Sequence, residues 1–256
     1  MNSLYLAWQA PANTNYNKAW FPVGLLEADD VDCGERYSFR YTQGAKEAED
    51  KVGFKPFYAF PDLMKKYVSK ELFPLFKNRV VSHTRKDFAE YIEWMGLDDA
   101  TTDPMKILAI SGGARETDNL EIFPKVEKDS EGVFRVRFFI HGLKYLEADA
   151  KSRVLNLQEG EKLSIAVELN NPATGHAIML HTDDYKMVGW APRYLIPDLL
   201  ECISDSENMR AKVVKVNAQF APLNNQVLVE LEGKMNETHQ PMSSKFFLPI
   251  HGVMNG

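Results

Sequence analysis

Several short stretches of this sequence carry residue types that could do chemistry. Ser111-Gly112-Gly113-Ala114-Arg115 has the glycines and the cation of a phosphate-binding loop. It lacks the Lys-Ser/Thr pair that completes a nucleotide-binding P-loop, so a turn is the better reading. His181 with Asp183 and Asp184 would need a further ligand to make a metal nuclease centre. None is visible at ligand spacing, which leaves a solvated hairpin tip. Cys33 and Cys202 lie 169 positions apart and fit no zinc pattern, so both read as buried free thiols. No serine nucleophile stands beside a recognisable His-acid pair. The expectation is therefore no metal, no cofactor and no catalytic constellation.

Composition bounds the partners. The chain has 256 residues, 45% hydrophobic and 26% charged, ordinary values for a globular protein long enough for two small cores. Its formal net charge is −6, with 17 basic and 22 acidic side chains in residues 1–132, and 12 and 13 in residues 133–234. Long-duplex binders carry a marked basic excess. A nucleic-acid contact is thus expected as a local pocket rather than a broad basic face. No apolar run approaches the roughly 20 residues of a membrane span, and no charged-then-apolar leader precedes Trp8, so a cytoplasmic location without membrane contact is expected.

The elements that would position any site follow from periodicity. Leu4–Gln9, Trp20–Leu26 and Arg36–Thr42 alternate like strands, and a helix spans Gly44–Gly53. Phe57–Pro61 reads as extended. Phe88, Tyr91, Ile92 and Met95 follow helical spacing within Arg85–Leu97, with Thr84 and Asp87 placed to cap and Gly96 to end it. Pro104 marks a domain edge, after which Met105–Ser111 and Leu120–Phe123 read as strands around Gly112-Gly113. The aromatic series Tyr37, Phe39, Tyr41, Phe54, Phe57, Phe60, Phe73 and Phe76 is placed to form an N-terminal core.

Past Gly132, strands are expected from Phe134 to Ile140 and from Leu163 to Leu169. A hairpin of Ala177–Thr182 with Lys186–Ala191 follows, then a second of Ala211–Gln219 with Gln226–Gly233. Glu147–Leu157, closed by Gly160, and Arg193–Ile203 read as helices. The fold class is α+β: a mixed N-terminal domain (1–103), connecting strands (104–132), a small β-barrel domain (133–235) and a tail (236–256). The tail's Phe246–Leu248 cluster is placed to dock on the body or on a partner.

Within that second domain the strings Phe138-Phe-Ile-His-Gly-Leu-Lys-Tyr145, Leu169-Asn-Asn-Pro172, Ala177-Ile178 and Val188-Gly-Trp-Ala-Pro-Arg-Tyr-Leu195 resemble, in order and spacing, the HIRAN domain. The resemblance implies an OB-like barrel with interposed helices. In the helicase-like transcription factor such a domain holds the 3′ end of single-stranded DNA. Carried over by position, the resemblance implies that Lys144 and Tyr145 supply a cation and a stacking ring, Asn170 and Asn171 the polar turn, and Arg193 a further cation. The family's turn continues Asn-Pro-Tyr-Asp, whereas this sequence has Ala173 and Thr174. A second ring and a charged hydrogen-bond acceptor are therefore missing, and His176 is the nearest side chain that could stack instead.

The N-terminal strings Val23-Gly-Leu-Leu, Tyr37-Ser-Phe-Arg-Tyr and Glu71-Leu-Phe-Pro-Leu-Phe-Lys-Asn78 are similar in order to the small N-terminal subdomain of HipA-like toxin kinases. No kinase segment follows, so that likeness implies a contact surface without phosphotransfer. Two functions result. One is recognition of single-stranded DNA ends or damaged DNA; the other is a regulatory protein that contacts a protein partner through its N-terminal domain or tail, with the barrel as scaffold.

Overall fold

The computed structural model describes residues 3–12, 14, 16, 18–29, 36–98, 100–115, 117–202, 209–217 and 221–250. Cys33 lies outside them. The chain forms two compact units: residues 1–83, 102–125 and 243–256 make the first, and residues 84–101 and 126–242 the second. The backbone thus passes between units four times, where the sequence suggested one passage near Pro104.

In the first unit, strands β1 (Ser3–Gln9), β2 (Trp20–Asp29) and β3 (Arg36–Tyr41) form where alternation predicts them. With β4 (Tyr67–Ser69) and β5 (Leu120–Pro124) they make an antiparallel sheet of order β4-β3-β2-β1-β5. Helix α1 (Gln43–Val52) ends at Gly53 in the left-handed conformation, whose N–H bonds the carbonyls of Ala48 and Glu49. The Phe57–Pro61 segment is a turn, closed by Phe60 N–H on the Phe57 carbonyl, rather than an extended run.

The aromatic series packs as the core. Tyr37, Phe39, Tyr41, Phe54, Phe60 and Phe76 are buried, and Phe57 and Phe73 lean against them. Phe39 stacks on Phe60 with ring centroids 4.2 Å apart. The Tyr41 hydroxyl donates to the Phe60 carbonyl (2.8 Å) and accepts from Phe57 N–H (2.7 Å), so the one polar atom of that ring is paired inside the core. The C-terminal tail docks on this unit: Phe247 meets Tyr5 edge-on at 4.9 Å, and Gln43 N–H bonds the Leu248 carbonyl.

Met105–Ser111 is not a strand. It is helix α4 (Pro104–Ser111), with the Asp103 carboxylate accepting from Met105 N–H, Pro104 in the first turn and Gly112 closing the end in the left-handed conformation. The flanking residues decide this, because a short, mostly apolar run fits either state. A short helix α2 (Pro74–Lys77) precedes the buried Arg79, whose guanidinium bonds the carbonyls of Leu75 and Gly113 and the carboxylate of Asp118.

In the second unit, β6 (Val133–Phe139), β7 (Lys162–Asn171), β8 (Gly175–His181), β9 (Met187–Trp190), β10 (Arg210–Val216) and β11 (Val227–Lys234) form one sheet of order β6-β11-β10-β7-β8-β9. Inward Phe134, Val136 and Phe138 alternate with outward Arg135 and Arg137, the period of a half-buried strand. Each fully buried side chain of this kind contributes about 1.5–3 kcal/mol.

No closed barrel is found among the described strands, and the ladder stays open except at one pair. His141, two residues past β6, exchanges both backbone bonds with Trp190 of β9 (2.9 and 3.1 Å), linking the sheet's two edges.

Helix α3 (Phe88–Trp94) is shorter than the predicted Arg85–Leu97. The carboxylate of Asp87 is taken by Arg85 instead of capping the first turn. Helix α5 (Ala148–Leu155) ends at Asn156, and Gly160 belongs to the next turn, bonded to Val213. The Arg193–Ile203 helix begins as a 3-10 turn (Arg193–Leu195) and continues as α6 (Ile196–Cys202). No helix among the described residues is long and apolar enough to cross a membrane.

Candidate functional site

The chain leaves β6 through His141 and Gly142 into a 3-10 turn, Leu143–Tyr145, and this turn presents the predicted pair. Tyr145 is 71% exposed, a large aromatic surface to leave in water, and the Lys144 ammonium lies 4.8 Å from its ring centroid. Beside it opens a cavity of about 270 Å³ lined by Tyr145, Leu146, Glu147, Asp149, Lys186 and Trp190, together with Ala150 and Met187. That is close to the roughly 300 Å³ at which small-ligand pockets begin.

Trp190 is held from three sides. Its indole Nε1–H donates to Glu168 Oε2 at 2.9 Å. Its backbone is fixed by the His141 pair, and its six-membered ring lies against the backbone of Gly142. A Cβ at Gly142 would come within 2.3 Å of the indole. Gly189 does the same work on the facing strand, where a Cβ would meet the His141 carbonyl at 2.7 Å. The His-Gly and Gly-Trp pairs therefore interlock, because only residues without a Cβ allow this approach at φ +79° and +133°.

The polar turn reaches the same place indirectly. Asn171 Nδ2 donates to the same Glu168 oxygen, at 2.9 Å, so Asn171, Glu168 and Trp190 form one hydrogen-bonded chain. The Asn171 side-chain oxygen accepts from Ala173 N–H and Thr174 N–H, which makes Asn171 the organiser of the β7–β8 turn. The Thr174 hydroxyl donates its one proton to the His176 carbonyl at 2.6 Å, so it is occupied within the turn.

Of the six predicted site residues, Tyr145 lines the cavity with Lys144 over its ring, and Asn171 joins it through Glu168. Asn170 and His176 are exposed on the β7–β8 hairpin and do not line the cavity. Arg193 opens the 3-10 turn three residues after Trp190 and is likewise absent from the lining.

Sequence reasoning missed Glu168, Lys186 and the two cavity carboxylates, Glu147 and Asp149. Lys186 Nζ reaches Asp149 at 2.6 Å, and this contact holds the Asp149 carboxyl below the usual carboxylate range. Trp190 stood within the resembling string, but its partner could not be read. Met179 of β8 pairs with both Ala166 and Trp190, and that register brings Glu168 diagonally under the indole.

The other sequence candidates are structural. Ser111–Arg115 follows a helix rather than a strand, and its groups are engaged: Gly113 N–H donates to Ser111 Oγ, Arg79 donates to the Gly113 carbonyl, and Arg115 donates to the Asn78 carbonyl. Asp184 is paired with Arg153 at 3.1 Å, and no metal-binding group of three His, Cys, Asp or Glu occurs among the described residues. Cys202 is buried and free, and burial pushes its thiol up to about 11.

No family model and no curated protein matches this sequence. Among solved structures, the chain is similar to the crystal structure of a protein from Lactobacillus plantarum from a structural genomics consortium. Identity is 18% and the TM-score 0.31, over 41% of this chain and 100% of that one. So slight a likeness bears on neither fold nor function.

Proposed function

We propose that the second unit is a HIRAN-like, barrel-related module that binds the 3′ end of single-stranded DNA. The cavity between Tyr145 and Trp190 takes the last base. The observation that carries this reading is the exposed Tyr145 ring at the mouth of an aromatic-lined cavity, with a cation already over it. Aromatic stacking is indifferent to base identity and contributes ~1–3 kcal/mol per base. The His141–Trp190 pair, which links the two sheet edges, supports the barrel relationship.

The resembling family's acidic turn residue is replaced by Thr174, whose hydroxyl is spent. Glu147 lines the cavity and makes no capping bond to α5, so it offers a carboxylate in its stead. A 3′-hydroxyl would donate to it in a charge-assisted bond, whereas a 3′-phosphate would bring like charge against Glu147 and Asp149.

Fluorescence anisotropy with short labelled strands tests this. Tyr145→Ala is expected to weaken binding roughly 5- to 150-fold. A 3′-phosphate should weaken wild type and matter less in Glu147→Gln. No binding of free 3′ ends at low salt, or equal affinity for hydroxyl and phosphate ends, would rule the reading out.

A further inference from the structure

The solvent side of the second unit's sheet segregates charge in a way the sequence totals conceal. On β6, β11, β10 and β7 the outward positions carry Arg135, Arg137, Lys234, Arg210, Lys212 and Lys162, all exposed. Against these six cations the same strands set two carboxylates, Glu230 and Glu232, and Asp129, bonded to Val133 at the start of β6, also acts on Arg135. The register sets them in rows across the strands: Arg137, Glu230, Lys212, Lys162 and, next to it, Arg135, Glu232, Arg210.

Glu230 sits low between its cations. The Glu230 side chain is 15% exposed and bonded by both Arg137 and Lys212 at 2.8 Å, while those cations remain 42% and 56% exposed. Arg135, 60% exposed, pairs with Glu232 at 2.6 Å, and the Glu232 side chain keeps 38% of its surface exposed. Among the described residues, Lys162, Arg210 and Lys234 have no carboxylate within ion-pair distance. The face therefore presents an excess of cations to solvent, in a chain whose net charge is −6. At one end of the face α3 caps the sheet, with Lys215 on Glu93 and Gly96 close to Leu228.

We infer that this face is a phosphate track that holds the sugar-phosphate backbone of a single nucleic-acid strand. Cations repeat about every 7 Å along β6 and along β10, these two rows lie about 10 Å apart across the glutamates of β11, and Lys162 stands about 5 Å beyond Lys212, a spacing that a flexible polyanion can follow. A protein built for long duplex coating would carry a basic excess overall, and this chain does not. The track uses none of the cavity residues, so it stands or falls separately from the end-binding reading.

The test compares a trinucleotide with a single strand of about 20 nucleotides, longer than the ~4–16 that one small barrel covers. Wild type is set beside Lys162→Gln/Arg210→Gln/Lys212→Gln/Lys234→Gln, and affinity is followed from about 50 to 200 mM salt. The long strand should bind wild type at least tenfold more tightly than the trinucleotide. The quadruple variant should lose that increment and flatten the salt slope by roughly 0.7 for each phosphate contact removed. Trinucleotide binding should stay unchanged.

Tyr145→Ala is expected to do the reverse, losing the trinucleotide and keeping the salt-dependent increment. If the quadruple variant does not fold, Lys162→Gln/Arg210→Gln, which breaks no ion pair among the described residues, should lose part of the increment. A long strand that binds no better than a trinucleotide overturns the track, as does an unchanged slope in the variants. Loss of binding to phosphatidylglycerol vesicles without loss of strand binding overturns it as well. A wild type that binds the long strand but not the trinucleotide leaves the track standing and removes the cavity reading.

Discussion

Replacing Gly142 by Ala probes the part of the site that the geometry makes most exacting. The residue has φ +79°, and an added Cβ would lie 2.3 Å from Trp190 Cε3 and 2.6 Å from Cζ3, well inside contact distance. Two costs follow. Forcing an L side chain into the left-handed region costs roughly 1–2 kcal/mol. Relief of the clash moves the indole, and loss of its bond to the Glu168 carboxylate costs about 1.5–3 kcal/mol more. The expected total is about 2.5–5 kcal/mol. Gly160→Ala supplies the control, because Gly160 has φ +83° in the same unit and nothing within 4 Å of the place its new methyl group would take, so only the backbone cost applies. Urea unfolding of both variants, with equal m-values as the condition for comparison, reads the difference. Equal destabilisation of the two would show that Gly142 is a turn residue alone and that Trp190 is not held against it.

Two further perturbations address the rest of the chain. Arg79 is 2% exposed on its side chain and joins α2, the Gly113 turn and Asp118; Arg79→Met should cost about 2–4 kcal/mol in thermal or urea unfolding of the first unit, and a loss below about 1 kcal/mol would contradict the clamp. Asp198 is buried and accepts from His239 Nε2 (2.9 Å) and Met242 N–H (3.1 Å), yet burial raises its pKa more than those bonds lower it. A raised folded value means that the native state holds the proton more tightly than the unfolded chain. Its contribution to stability is therefore largest below the ordinary carboxylate pKa and is lost as pH rises through the folded value. Asp198→Asn should gain stability relative to wild type as pH climbs through that window, and parallel pH curves would refute the assignment.

The strands were legible because alternation is enforced wherever one face of a sheet is buried, as Phe134, Val136 and Phe138 show. Helix α4 was not, because Met105–Ser111 has no period of its own; the Asp103 cap, Pro104 and Gly112 decide its state, and each also fits a domain edge or a turn. Tyr145 could be picked out as a motif residue. Glu168 could not, since its bond to Trp190 depends on the register of three strands. Charge behaves likewise. Residues 133–234 are nearly neutral in sum, which argued for a local pocket and against a basic face. Strand register then places six cations outward and tucks Glu230 between two of them. Counting cannot reveal that separation, because it exists only once the strands are paired.

The central claim, a base held between Tyr145 and Trp190, is tested most directly by the indole N–H resonances of the four tryptophans, with Trp190 assigned from Trp190→Phe. On titration with a trinucleotide bearing a free 3′-hydroxyl, the Trp190 signal should move progressively while those of Trp8, Trp20 and Trp94 stay in place. A Trp190 resonance that stays still at saturating strand would contradict the account.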